Sequence, residues 1–329
     1  MPVKLLLELS MECESLARAE ALSAAVALGR KPKIVGEDDG VLLLETAADP
    51  TRLASRLGLC HYVSELLVSC DAKDIDSCVR DIDVPGPIRV RSTKVGEASI
   101  DLAGTSRRVG TVLGKSRGVD LHHPASDIRI VFSKKVHIGT MVGAIDRPSF
   151  EKRKNRYMPY IYPASLHPKY ARALVNLTQV PSGGRILDPF CGTGAIVAEA
   201  SLIGLKAMGS DLSNKMVEGT SRNLAHLKTR AELRVSDVGD ISEKIGPVDG
   251  IATDPPYGRS TSTGGEEIPA LFMRGFKAFE AILKKRSRVA IVVPDLELLE
   301  GIEGFRLLET HNLWVHRSLT RRFCVFEKL

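Results

Sequence analysis

The sequence predicts an α/β fold: a parallel sheet wrapped by helices over the C-terminal half, preceded by smaller α+β units. Three observations predict it. From about residue 169 onward, apolar strand-like runs alternate with helical patterns, which is the signature of βαβ units. Between one such run and the next helix lies "ILDPFCGTGAIVAEA", with Gly192 and Gly194 in the turn. Further on, the apolar "VDGIA" runs directly into "TDPPYG", where two prolines end a strand rather than continue it. The 329 residues leave room for about two or three domains. At 43% hydrophobic and 26% charged, ordinary packed cores are expected.

In chain order, "VKLLLEL" (3–9) reads as a strand and "CESLARAEALSAAVALG" (13–29) as a helix closed by Gly29. "KPKIVGEDDGVLLLET" (31–46) reads as a hairpin turning at Asp39-Gly40. "DPTRLASRLGL" (49–59) is a short helix with Asp49 as cap and Pro50 in its first turn. "HYVSELLVS" (61–69) is another strand. The order βαββαβ suggests a ferredoxin-like sandwich, assigned to residues 1–68. A second α+β unit is expected over 69–145: the helical "AKDIDSCVRDI", the basic strand "GPIRVRSTKVG", the helix "DLAGTSRRVGTVLG", then strands to 145. Residues 146–168 show neither helical nor strand period and are expected to be a linker. The parallel-sheet domain follows over 169–329 and closes with two strands as an edge hairpin.

Composition excludes several classes. No apolar run reaches the ~18 residues of a membrane span. "MPVKLLLELS" is too short and too soon acidic for a signal peptide. The six cysteines form no CxxC pair and no zinc-finger spacing with histidine, so reduced thiols, a cytoplasmic location and no metal are expected. Net charge is +6, unevenly spread: residues 85–160 hold 15 Lys/Arg against six Asp/Glu, or +9, leaving −3 elsewhere. A basic middle is what a phosphate-backbone footprint looks like, although a solvated surface has the same composition. Arg89, Arg91, Arg147, Lys152, Arg153 and Lys154 are the candidate RNA-binding residues.

The glycine turn lets a ligand approach backbone N–H groups at a helix N-terminus. Asp188, Asp211 and Asp237 end three successive strands, where acids can hold a ribose, an adenine amine or an amino-acid tail. The turn has GxG rather than GxGxxG spacing and no Lys or Arg, which disfavours a pyrophosphate. S-adenosylmethionine fits better, with Asp188, Cys191, Gly192, Thr193, Gly194, Asp211 and Asp237 as its candidate ligands. A structural turn alone would leave the three acids unexplained.

Asp254 ends the fourth strand on the same edge. An exocyclic base amine is a poor nucleophile, because its lone pair is delocalised into the ring. A carboxylate and a proline-aimed carbonyl can accept its two N–H groups and turn the lone pair outward, while Tyr257 offers a stacking face. Asp254, Pro256 and Tyr257 are therefore the candidate catalytic residues.

"DPFCGTG" followed by "DPPYG" resembles the amino-methyltransferases with Rossmann-like catalytic domains. "DRPSFEKRKNRYMPYIYPASLHPKYARALVNL" (146–177), "LWVHRSLTRRFCVFE" and "VDLHHP…IRIVF" narrow the resemblance to the archaeal tRNA guanine-10 N2-methyltransferases, over nearly the whole chain. The resemblance implies a THUMP RNA-binding domain at 69–145, tRNA as partner and S-adenosylmethionine as cofactor. It implies N2-methylguanine and then N2,N2-dimethylguanine as products, with a small activating subunit left open. One departure is "LHHP" at 121–124, where the family pattern has Asn before Pro. Other readings stay open at this point: a guanine-N2 enzyme for another tRNA position or ribosomal RNA, a DNA amino-methyltransferase, or an inert RNA-binding protein.

Overall fold

The computed structural model describes residues 2–29, 31–95, 100–163, 165–256, 265–317 and 319–329. The chain separates into two compact units. One comprises Met1–Glu14, Leu28–Ser55 and Cys60–Ile145, the other Ser15–Ala27, Arg56–Leu59 and Asp146–Leu329. Among the described residues no helix is long and apolar enough to cross a membrane.

The first stretch of chain runs β1 (Val3–Leu9), α1 (Glu14–Leu28), β2 (Lys33–Asp38), β3 (Val41–Thr46), α2 (Pro50–Arg56) and β4 (Cys60–Cys70). It continues through α3 (Ile75–Cys78), β5 (Ile88–Lys94), α4 (Leu102–Arg117), β6 (Ser126–Phe132) and β7 (Val136–Ala144). The βαββαβ order is present, with Gly40 at φ +64° in the hairpin turn. The Asp49 side chain accepts from the Arg52 amide at 2.8 Å, capping α2. The seven strands form one sheet in the order β2-β3-β1-β4-β7-β6-β5. The boundary expected after residue 68 falls inside β4, which pairs with β1 on one side and β7 on the other. The strands of both expected α+β units therefore share a sheet. β1 is apolar at consecutive positions because Leu5, Leu6 and Leu7 are all fully buried.

The second unit adds α5 (Arg147–Lys152), α6 (Pro168–Leu177), β8 (Arg185–Asp188), α7 (Ala195–Leu202), β9 (Lys206–Asp211) and α8 (Asn214–His226). Then come β10 (Glu232–Val235), α9 (Ile241–Lys244), β11 (Val248–Thr253), α10 (Ile268–Ile282), β12 (Leu283–Val293), β13 (Phe305–His316) and β14 (Leu319–Lys328). Their sheet has the order β10-β9-β8-β11-β12-β14-β13. It is parallel from β10 to β12, and β14 runs antiparallel to both its neighbours. The expected edge hairpin is thus β13–β14. Phe276 of α10 packs edge-on against Phe305 and Phe326 of that hairpin, with ring centroids 5.2 and 5.1 Å away.

The 146–168 segment differs from a free linker. Asp146 caps α5 by accepting from the Ser149 amide, and Phe150, Met158 and Leu166 are buried. Three isolated apolar anchors carry no period, so pattern reading could not see them. Helix α1 contributes Glu20, fully buried in the second unit. Its oxygens accept from the amides of Gly58 and Leu59 and from Asn176 Nδ2, each at 2.8 Å. Burial pushes its carboxyl up to about 7 despite those bonds.

Candidate active site

Strands β8 to β11 all end on one edge; Asp188 and Asp211 close β8 and β9, Asp254 directly follows β11, and Asp237, expected to end its strand, lies two residues beyond β10. A cavity of about 420 Å³ opens at this edge. Asp188, Asp211, Asp237 and Asp254 all line it, together with Cys191, Gly192, Thr193 and Pro256. The crevice at the carboxyl ends of parallel strands is the expected ligand position for such a sheet.

The turn between β8 and α7 needs its glycines. Gly192 has φ +50° and Gly194 φ +85°, and a Cβ on Gly194 would lie 2.6 Å from Thr220 Cγ2. Thr220 Oγ1 donates to the Gly192 carbonyl at 2.7 Å, fixing the turn. Asp211 bridges strand and turn: Oδ2 accepts from the Gly192 amide at 3.0 Å and Oδ1 from the Ser213 amide at 2.9 Å. Burial raises its carboxyl above the usual range, against those two bonds.

Asp188 lies deeper. It accepts from Thr253 Oγ1 at 2.7 Å and from the Phe190 amide at 3.2 Å. Burial is the main cause of its rise to about 7, and the charges of Asp254 and Asp211 add to it. That coupling is itself a sign that the acids converge. Cys191 is buried, and desolvation next to the same acids holds its thiol protonated, so it is a wall rather than a nucleophile.

Asp237 carries a partner that the sequence did not reveal. Arg274, from α10, binds both its oxygens, one of them at 3.2 Å. The same guanidinium donates to both oxygens of Glu266, at 2.6 and 3.1 Å. The Arg274 charge holds Asp237 below the usual carboxylate range, and the two acids keep Arg274 firmly protonated. The Gly239 amide also donates to Asp237 at 2.8 Å. The only sequence signal for Arg274 is a cation, one of two with Lys277, inside the amphipathic "ALFMRGFKAF". The 146–168 segment supplies further wall: Tyr162, Ser165 and Leu166 line the cavity, and Thr193 Oγ1 donates to Ser165 Oγ at 3.2 Å.

Asp254 and Pro256, both half-buried, line the cavity, while Tyr257 lies outside the described residues. Among the described residues no group of three or more His, Cys, Asp or Glu could hold a metal.

The candidate RNA-binding cations are not equivalent. Arg89 and Arg91 both pair with Asp127 at 2.5 Å. Arg153 turns inward onto Glu199, which is buried and also holds Arg172 at 2.6 Å. Lys154 pairs with Glu151. Arg147 and Lys152 are exposed. At "LHHP" the cap is Asp120, whose Oδ1 accepts from the amides of His122 and His123.

The family model described as "UPF0020: RMKL-like, methyltransferase domain" matches residues 155–322. A tRNA (guanine(10)-N2)-dimethyltransferase from Methanothermobacter thermautotrophicus is 33% identical over 99% of this chain and 100% of its own. The enzyme of that description from Pyrococcus abyssi is 33% identical over 94% of this chain and 95% of its own. A tRNA (guanine(6)-N2)-methyltransferase from Thermus thermophilus is 30% identical over 67% of this chain and 66% of its own. Among solved structures, TrmN from Thermus thermophilus superposes with a TM-score of 0.54, at 22% identity, over 99% of this chain and 100% of its own.

Proposed function

The chain belongs to the family of tRNA (guanine(10)-N2)-dimethyltransferases, and on that premise we propose that it methylates N2 of guanine 10 in tRNA twice, with S-adenosylmethionine as donor. It is a tRNA (guanine-N2)-methyltransferase. Position 10, the second methyl and the donor's identity are the finer reading. The observation that carries it is the convergence of Asp188, Asp211, Asp237 and Asp254 on one cavity beside a glycine turn.

The site fits the donor. Gly192 lines the cavity and leaves open space where a side chain would stand, Gly194 packs against Thr220 to hold the turn, and "DPFCGTGAIVAEA" contains no cation that a phosphate would call for. Asp211 would hold the ribose hydroxyls, Asp237 the adenine amine and Asp188 the ammonium of the amino-acid tail. When bound, the donor supplies an electrophilic methyl.

The protein's own residues do the rest. Asp254 accepts one N–H of the guanine amine and the carbonyl of Pro256 the other, which localises the nitrogen lone pair. Asp254 then takes the proton released on transfer. After the first methyl a single N–H remains, so the second round depends more heavily on Asp254. The basic residues of the 69–145 region, Arg89 and Arg91 among them, together with Arg147 and Lys152, are the proposed tRNA footprint.

The test is nucleoside mass spectrometry of tRNA treated with protein and S-adenosylmethionine, followed by mapping of the modified position. N2,N2-dimethylguanine at position 10 supports the reading. Modification confined to guanine 6, favoured by the Thermus relative, overturns the position but not the chemistry. No N2-methylguanine at all overturns both.

A further inference from the structure

The β13–β14 hairpin has a tip that the proposed chemistry does not use. "WVHRSLTRR" (314–322) contains an indole, a histidine and three arginines, with no acid. Trp314 is 69% exposed, unusual for the largest apolar side chain. Arg317 is exposed as well. Among the described residues, Arg317, Arg321 and Arg322 enter no ion pair, and Arg321 Nε is a buried donor without a partner. Arg89, Arg91, Arg153 and Lys154, by contrast, each pair with a carboxylate.

The register puts this tip on the catalytic edge. Thr253, the residue before Asp254, pairs with Ile291; Ile291 pairs with Cys324, and Cys324 with Thr310. β13 runs parallel to β11, so Trp314 lies four residues beyond the row of Thr253. At ~3.3 Å per residue and ~4.8 Å per strand, Trp314 stands about 17 Å from Asp254 along the same edge. That is on the order of five nucleotide steps at the ~3.4 Å rise of a duplex strand. Trp314 pairs with Thr320, and Asn312 with Arg322, so Trp314 and Arg322 are diagonal neighbours on one face. β12 ends at Val293, opposite Arg322, and the tip projects beyond it.

We propose that the tip is a second RNA contact, in which the Trp314 indole stacks on an unpaired base near the target guanine and Arg317 and Arg322 hold the flanking phosphates. It deepens the tRNA reading above and rests on it. An exposed aromatic face interleaved with unpaired guanidinia is the arrangement that binds unstacked nucleotides. Extruding a guanine from a stem leaves its surroundings partly unstacked, and a platform on the same edge stabilises that state. The charge favours RNA over an apolar protein partner, which would leave Arg317 and Arg322 desolvated without compensation.

Trp314 is the only tryptophan, so its emission reports on the tip alone. Adding tRNA to the wild-type protein should quench it. Trp314→Ala should raise the Kd for tRNA about ten-fold, the scale of one base–aromatic stack. Trp314→Phe should recover most of that loss. Arg317→Gln and Arg322→Gln together should flatten the salt dependence of tRNA affinity by a slope of about one to one and a half, near ~0.7 for each phosphate no longer neutralised. Affinity for S-adenosylhomocysteine should stay within about twofold in all of them. Unchanged emission together with wild-type tRNA affinity in Trp314→Ala overturns the proposal, as does a change in oligomeric state without a change in tRNA affinity. A wild-type protein that forms no N2-methylguanine would instead overturn the function on which the proposal rests.

Discussion

The chemistry of Asp188 depends on pH. Its carboxyl titrates near about 7 because it is buried beside two other acids. Below that pH it is neutral and cannot pair with the ammonium of an amino-acid tail, so ligand binding must release its proton. Calorimetric affinity for S-adenosylhomocysteine should therefore fall up to about ten-fold per pH unit below 7 and level off above it. Asp188→Asn should remove that dependence and bind at the weak limit throughout. Arg274 acts differently. It keeps Asp237 and Glu266 together on the cavity wall, and without it the two carboxylates repel and swing apart. Arg274→Ala should weaken S-adenosylhomocysteine binding about ten-fold, the scale of a lost charge-assisted bond, with Arg274→Lys in between. Asp254→Ala should slow single-turnover methyl transfer by about 10²–10³-fold while both substrates still bind. Asp254→Asn, which keeps an acceptor oxygen, should be less impaired.

At the scale of elements, the 146–168 segment combines two kinds of cation. Arg147 and Lys152 lie exposed on α5, whereas Arg153 stacks on Phe150 and is bonded through Nε to Glu199 at 2.6 Å. Arg147→Gln with Lys152→Gln should reduce the salt slope of tRNA binding by roughly one to two and leave thermal stability alone. Arg153→Gln should do the reverse. It leaves the buried Glu199 with Arg172 alone, a loss of about 1–3 kcal/mol that a lowered unfolding temperature would show. A sequence count treats all of these side chains as one basic run.

At the scale of the molecule, Glu20 and Asp188 give stability a shared pH dependence. Both have folded-state values raised to about 7 from ordinary values of 4.5 and 3.8. The folded chain therefore retains protons that the unfolded chain has already lost. The stability from these groups is fully present below about pH 4 and is lost as pH rises to about 7. Calorimetric unfolding of the second unit should show this decline between those limits, and Glu20→Gln should flatten part of it. Glu20→Ala should be worse at every pH, because the amides of Gly58 and Leu59 and Asn176 Nδ2 lose their acceptor.

The catalytic half of the fold was legible in the sequence because its signals are local. A strand, a two-glycine turn and a helix follow one another over residues 185–202, and an acid at or just beyond each strand end recurs at Asp188, Asp211, Asp237 and Asp254. Parallel strands then bring those acids to one edge without further information. The single sheet of the first unit was not legible, because β4 and β7 pair across more than sixty residues and alternation does not name a partner. Nor was the state of each charge. Arg129 is separated by 121 residues from Glu8, which neutralises it in the core, Arg274 by 37 from Asp237, and Arg153 by 46 from Glu199. Type and spacing establish that a cation is present. Which cation meets a buried carboxylate and which remains for a phosphate was decided only by the tertiary structure, since an ion pair is made by proximity in space and leaves no period in the chain.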